Sequence, residues 1–213
     1  MLQTVLADIK NTKTQLVVVS KTRSLEAIRA IYEQGPRTFG ENRVAELVEK
    51  QAQLPKDIEW HFIGHLQTKK VKHIAPFIQL IHSVDNDRVL VEINKQAERN
   101  ERVIDVLLQF KIAQEESKYG FDWKTADTFL NSENFQKLKN IRVVGVMGMA
   151  TFTDNMDQVQ KEFKTLKKIF DRLESKHFGM VKSFQEISMG MSGDYKIAMK
   201  EGSTMIRLGS LLF

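Results

Sequence analysis

Short apolar runs and helical stretches alternate eight times along this chain, and that alternation restricts the fold more than any other feature of the sequence. The runs fall at Leu16–Ser20, Thr38–Gly40, Ile58–Ile63, Phe77–Ser83, Val103–Phe110, Ile141–Met147, Ser183–Ile187 and Thr204–Leu208. Rich in apolar and β-branched residues, they read as strands buried on both faces. The intervening segments carry apolar residues at helical spacing. Leu25, Ile28, Ile31 and Tyr32 follow the capping residues Thr22–Ser24 and stop at Gly35-Pro36, while Val159, Phe163, Leu166, Phe170 and Leu173 stripe a long helix. Strands that alternate with helices argue for a parallel sheet with helices outside. The expected fold class is α/β, a single-domain (β/α)8 TIM barrel over residues 1–213, although the chain is short for that fold. An open doubly wound sheet is the rival, but no Gly-x-Gly-x-x-Gly turn follows the first strand. No repeat, low-complexity tract or linker divides the chain.

Composition narrows the function. An apolar fraction of 42% supports a real core. The net charge of +5 is spread along the chain, and the densest basic run, Lys69-Lys70-Val71-Lys72-His73, has no interleaved aromatics, so a solvated helix face is expected rather than a nucleic-acid surface. With no cysteine, thiol catalysis and Cys-based metal sites are excluded. No apolar run approaches the roughly 18 residues of a membrane span, and the N-terminus lacks the pattern of a signal peptide, so a cytoplasmic protein is expected.

Two charges sit where packing does not ask for them. Leu16-Val17-Val18-Val19-Ser20 runs straight into Lys21, whose ammonium at the end of a buried strand needs a partner or a role. A lysine that starts a loop and snorkels into water is the plainer reading. Arg207 lies within Met205-Ile206-Arg207-Leu208-Gly209, and inside a barrel it must be paired or serve a ligand; outward, it would pair with a helix carboxylate. Barrel sites lie at the C-terminal ends of strands, with phosphate often held after strands seven and eight. There the chain carries Ser188-Met189-Gly190-Met191-Ser192 and Gly209-Ser210, suited to a phosphate cradle of backbone N–H groups and hydroxyls. Gly202-Ser203-Thr204 precedes strand eight and reads as a turn at the opposite face. A lysine, a phosphate cradle and an arginine are the parts of a Schiff-base cofactor site.

Six motifs then carry a resemblance that spans nearly the whole chain. Val19-Ser20-Lys21-Thr22, Phe39-Gly40-Glu41-Asn42, Trp60-His61-Phe62-Ile63-Gly64, Glu116-Ser117-Lys118-Tyr119-Gly120, Ser188-Met189-Gly190-Met191-Ser192 and Gly202 through Gly209 resemble, in order, the signatures of the pyridoxal-phosphate homeostasis protein family. That family resembles the N-terminal barrel of alanine racemase. The resemblance implies that pyridoxal 5′-phosphate forms an internal aldimine on Lys21 and that Arg207 faces the pyridine nitrogen. It gives the phosphate to Ser188, Ser192, Gly209 and Ser210, with Asn42 a further contact. An arginine opposite the ring nitrogen keeps that nitrogen unprotonated and weakens the ring as an electron sink. For the motif at Glu116–Gly120 the sequence supplies no physical role.

The expected function is that of a monomeric carrier or buffer for pyridoxal phosphate, with apo-enzymes that use the cofactor as recipients. The alternative is a pyridoxal-phosphate-dependent racemase. Racemase draws a second acid/base tyrosine from a separate domain, which this chain, ending at Phe213, is expected to lack. A cofactor-free Schiff-base lyase fits less well, because no carboxylate base set lies beside Lys21. His61 and His65 bracket Phe62-Ile63-Gly64 at a strand end and read as core or rim residues, not metal ligands. The methionines near strand ends read as barrel packing or a soft pocket wall.

Overall fold

The computed structural model describes residues 1–114 and 119–213. Eight parallel strands close into one barrel in sequence order: β1 (Gln15–Val19), β2 (Thr38–Glu41), β3 (Glu59–Phe62), β4 (Leu80–Val84), β5 (Ile104–Gln109), β6 (Ile141–Met147), β7 (Glu186–Ser188) and β8 (Met205–Leu208). Closure is made by β1 against β8, with Val17 beside Arg207 and Val18 beside Leu208. The expected barrel is therefore the observed one, and the open-sheet rival falls.

Around the strands run α1 (Leu2–Ile9), α2 (Leu25–Tyr32), α3 (Val44–Gln53), α4 (Thr68–Ile74), α5 (Asp87–Arg99), α6 (Trp123–Leu130), α7 (Glu133–Gln136), α8 (Met156–Leu173) and α9 (Tyr195–Lys200). The stripe Val159, Phe163, Leu166, Phe170 and Leu173 is the buried face of α8, as its spacing predicts. Two elements were not legible: the single-turn α7, and a π-helical turn over Glu174–Phe178 that continues α8. Two strands are also displaced from expectation. β4 begins at Leu80 rather than Phe77, and β7 covers Glu186–Ser188 rather than Ser183–Ile187.

Side chains alternate across each strand, which splits the apolar residues into two sets. Leu16, Val18, Phe39, Trp60, Ile81, Val106 and Leu208 join the large core between strands and helices. Leu80, Leu107, Val144, Met147 and Met205 form a separate cluster inside the barrel. The strands thus bury both faces, which is why they read as continuous apolar runs.

Caps set where helices begin. Asn86 precedes α5 and its Oδ1 accepts from the Val89 amide at 3.0 Å. Asn86→Ala is expected to cost about 1 kcal/mol, measured as a lower urea midpoint at unchanged slope.

Candidate functional site

The C-terminal ends of the strands open into a cavity of about 830 Å³. Lys21, Asn42, Ser192, Arg207, Gly209 and Ser210 all line it, so six of the seven residues expected to bind a cofactor meet on one wall system.

Lys21 stands just beyond β1 and is exposed toward this cavity. Its segment is held from below by a buried ion network. Lys50 of α3 donates to the Ser20 carbonyl at 2.8 Å, to Glu41 Oε1 at 2.7 Å and to Glu46 Oε2 at 3.3 Å. Ser20 Oγ donates to the same Glu41 oxygen at 2.6 Å, and the Thr22 amide donates to Glu46 Oε2 at 3.0 Å. That last bond anchors Thr22 at φ 61°, a left-handed conformation unusual for a residue with a β-branched side chain. Burial pushes the Glu41 carboxyl upward in pKa, against the hydrogen bonds from Lys50 and Ser20 that pull it down. The Thr22 amide, foremost, holds Glu46 below the usual carboxylate range. Lys21 therefore sits on a fixed backbone with its side chain exposed at the cavity.

Asn42 follows β2, and its Oδ1 is buried with no hydrogen-bond partner among the described residues. Its backbone is pressed against the start of the next loop. A Cβ on Gly64 would lie 2.2 Å from the Asn42 carbonyl oxygen, so only glycine lets the β3 end approach this closely.

Arg207 points into the barrel, not outward to a helix. It is 4% exposed, and burial lowers its pKa to about 10, with Asp194 opposing. Its guanidinium donates to Ser188 Oγ at 2.5 Å and to the Gly148 carbonyl at 3.1 Å. Both acceptors are neutral, and Arg207 borders the cavity.

Ser188 departs from expectation. It is the last residue of β7, fully buried, and lies off the cavity wall. Its hydroxyl is occupied by Arg207 and by His82 Nδ1 at 2.8 Å, so a direct phosphate contact is not where the structure puts it. At the ends of β7 and β8 the cavity wall is formed instead by Met191 through Asp194 and by Gly209-Ser210. Gly190, at φ +97°, turns the chain beneath it, and a Cβ there would meet the Ala198 Cβ at 2.6 Å. Within this wall, the Met191 amide donates to Asp194 Oδ1 at 2.5 Å.

Several wall residues were not assigned to cofactor binding from sequence. His65 bonds through Nδ1 to Asp85 Oδ2 at 2.9 Å, and its ring stacks on Tyr119 with centroids 4.0 Å apart. Both border the cavity, as does Gln109, which donates to the Tyr119 carbonyl. Of the motif Glu116–Gly120, residues 116–118 lie outside the described residues. His61 is a core residue and His65 a rim residue, as their strand-end spacing implies, and no cluster of metal-ligating side chains occurs among the described residues. Among the same residues no helix is long and apolar enough to cross a membrane.

Comparison with known proteins agrees with this architecture. The family described as alanine racemase, N-terminal domain, matches residues 2–213. The pyridoxal phosphate homeostasis protein of Aquifex aeolicus is 38% identical over 200 residues, covering 93% of this chain and 86% of the relative. The human protein of the same name is 34% identical over 219 residues, covering 97% of this chain and 78% of the relative. Among solved structures, PipY of Synechococcus elongatus with PLP bound superposes with a TM-score of 0.88 at 30% identity, each chain covered in full. Alanine racemase of Bartonella henselae shares the fold at a TM-score of 0.75 and 16% identity, with 56% of that longer chain covered. With the barrel and its matching sequence over nearly full length, the chain belongs to the pyridoxal phosphate homeostasis protein family, built on the N-terminal barrel of alanine racemase.

Proposed function

We propose that this protein binds pyridoxal 5′-phosphate in the 830 Å³ cavity, holds it reversibly on Lys21, and acts in the homeostasis of that cofactor as a carrier. The observation that carries the reading is the shared cavity: the exposed side chain of Lys21 and the buried guanidinium of Arg207 border one space.

The residues fit the group chemically. When bound, the cofactor supplies an aldehyde that condenses reversibly with a primary amine, releasing water. Lys21 is that amine, and its exposure lets a competing amine or water reach the bond again. Arg207 keeps donors for an unprotonated ring nitrogen, and its positive charge opposes protonation there. Ser192, Ser210 and the backbone around Gly209 offer hydroxyl and N–H donors to a phosphate. Asn42 lines the same space, and its side-chain amide is a further polar contact for the ligand. In this reading the protein works as a cytoplasmic monomer. Its recipients are apo-enzymes, which approach a rim where Phe152 is 96% exposed.

The test is the visible spectrum of protein titrated with pyridoxal phosphate. The parent is expected to show the absorbance of lysine-bound cofactor that survives gel filtration and is erased by borohydride. Lys21→Ala is expected to lose covalent attachment entirely. An undiminished band in that variant overturns the assignment. Racemisation of alanine or other amino acids at roughly 1–1000 per second would overturn the carrier reading in favour of an enzyme.

A further inference from the structure

A line of buried polar side chains crosses the barrel interior beneath the cofactor cavity. His61 on β3 and His82 on β4 stand on one side of the barrel, Ser188 on β7 and Arg207 on β8 on the other. His61 Nδ1 lies 3.0 Å from His82 Nε2, His82 Nδ1 lies 2.8 Å from Ser188 Oγ, and Arg207 Nη1 donates to that same oxygen at 2.5 Å. His61, His82, Ser188 and Arg207 are 3%, 0%, 0% and 4% exposed. Barrel interiors are ordinarily filled with layers of branched apolar side chains. A polar layer survives there only when every member is satisfied.

The bonding has one self-consistent direction. Arginine donates and never accepts, so Ser188 Oγ is the acceptor toward Arg207. The single hydroxyl proton of Ser188 is then available to His82 Nδ1, which must carry a lone pair. His82 is therefore protonated on Nε2 and donates to His61 Nδ1. His61 in turn carries its proton on Nε2, and it borders a second cavity of about 360 Å³ at the opposite mouth, which Glu59 and Glu186 also line. The reverse order would leave Ser188 accepting from two donors with its own proton unplaced. Both rings are held neutral: burial lowers His61 to about 3, and burial, His61 and the Arg207 charge all depress His82.

We propose that His82 and Ser188, aligned by His61, are positioning residues that fix the direction of the Arg207 guanidinium toward the cofactor cavity. A serine that gives its proton to a neutral imidazole presents a stronger, singly oriented acceptor to Arg207. With Nη1 fixed on Ser188 and Nη2 on the Gly148 carbonyl, the remaining N–H groups have one orientation. The inference rests on the cofactor reading above only for what Arg207 faces; the alignment itself is a property of the protein alone.

Two measurements separate the two. In cofactor-free protein, nitrogen-15 NMR is expected to find both His61 and His82 as neutral Nε2–H tautomers at pH 7, with the Arg207 Nη groups in slow rotation. In Ser188→Ala that rotation is expected to become fast. A protonated Nδ1 on His82, or Arg207 signals unchanged in Ser188→Ala, overturns the relay whether or not the cofactor binds. In the titration, His82→Leu is expected to weaken pyridoxal phosphate binding about tenfold and to shift the visible band, and His82→Gln, whose amide oxygen can accept from Ser188, to restore most of both. Equal binding and identical spectra in parent, His82→Leu and Ser188→Ala overturn the relay. Should His82→Leu not fold, Ser188→Ala and the parent NMR decide. A parent that takes up no cofactor overturns the proposed function and leaves the relay to be judged on the guanidinium signals.

Discussion

Lys50→Met is expected to destabilise the protein by about 3–5 kcal/mol at neutral pH, the loss seen when one partner of a buried ion pair is removed. The side chains of Lys50 and Glu41 are 8% and 0% exposed, so methionine would leave the Glu41 carboxylate buried with only Ser20 to bond. The pH dependence identifies the cause. Glu41 already has its folded pKa raised above the usual 4.5, and removal of Lys50 raises it further. Such a carboxyl takes up its proton in the folded state first, so lowering the pH through its raised folded pKa toward 4.5 favours the fold. The deficit of Lys50→Met relative to the parent should therefore be largest at neutral pH and shrink on acidification. Adding Glu41→Gln should recover much of it, since the buried charge is then gone. Urea unfolding at several pH values checks this; a deficit independent of pH excludes the uncompensated carboxylate as its source. The same variants bear on function, because Lys50 bonds to the Ser20 carbonyl one residue before Lys21.

What could be read from sequence divides along a physical line. Lys21 and Arg207 were visible because a charge against an apolar strand violates the ordinary distribution, and such violations point to partners or ligands. The barrel was visible because strands buried on both faces leave continuous apolar runs. Ser188 was legible as a residue but not as to place. The sequence puts strand seven at Ser183–Ile187, leaving Ser188 in a loop facing the ligand. The observed strand, Glu186–Ser188, runs through Ser188 and holds that side chain in the barrel interior, bonded to His82 and Arg207. Lys50 looks like any lysine on a solvated helix face, and only the fold brings Glu41 and the Ser20 carbonyl beneath it. The partners of His82 lie 21 and 106 residues away in sequence, beyond any local pattern.

The two barrel histidines give the second large effect, a loss of stability between pH 6.5 and 5. In the folded protein burial lowers His61 to about 3, so it stays neutral across this range, and burial also lowers His82 well below its usual value. In the unfolded chain each protonates near 6.5. The unfolded state then binds up to two more protons than the folded one, and stability must fall as the pH falls. For His61 alone the limiting slope is about 1.4 kcal/mol per pH unit and the accumulated loss by pH 5 is about 2 kcal/mol, and His82 adds in the same direction. Against a typical domain's stability of about 5–15 kcal/mol this is a measurable share. Glu41 acts in the opposite sense as it protonates, so the slope belongs above the carboxylate range. His61→Gln keeps an acceptor for His82 Nε2–H yet removes one titrating group, and its slope should fall by close to one proton. Chemical denaturation from pH 8 to 5 measures both slopes. A variant whose slope equals the parent's would show that His61 accepts a proton without unfolding, and the single direction of the polar chain through the barrel would fail with it.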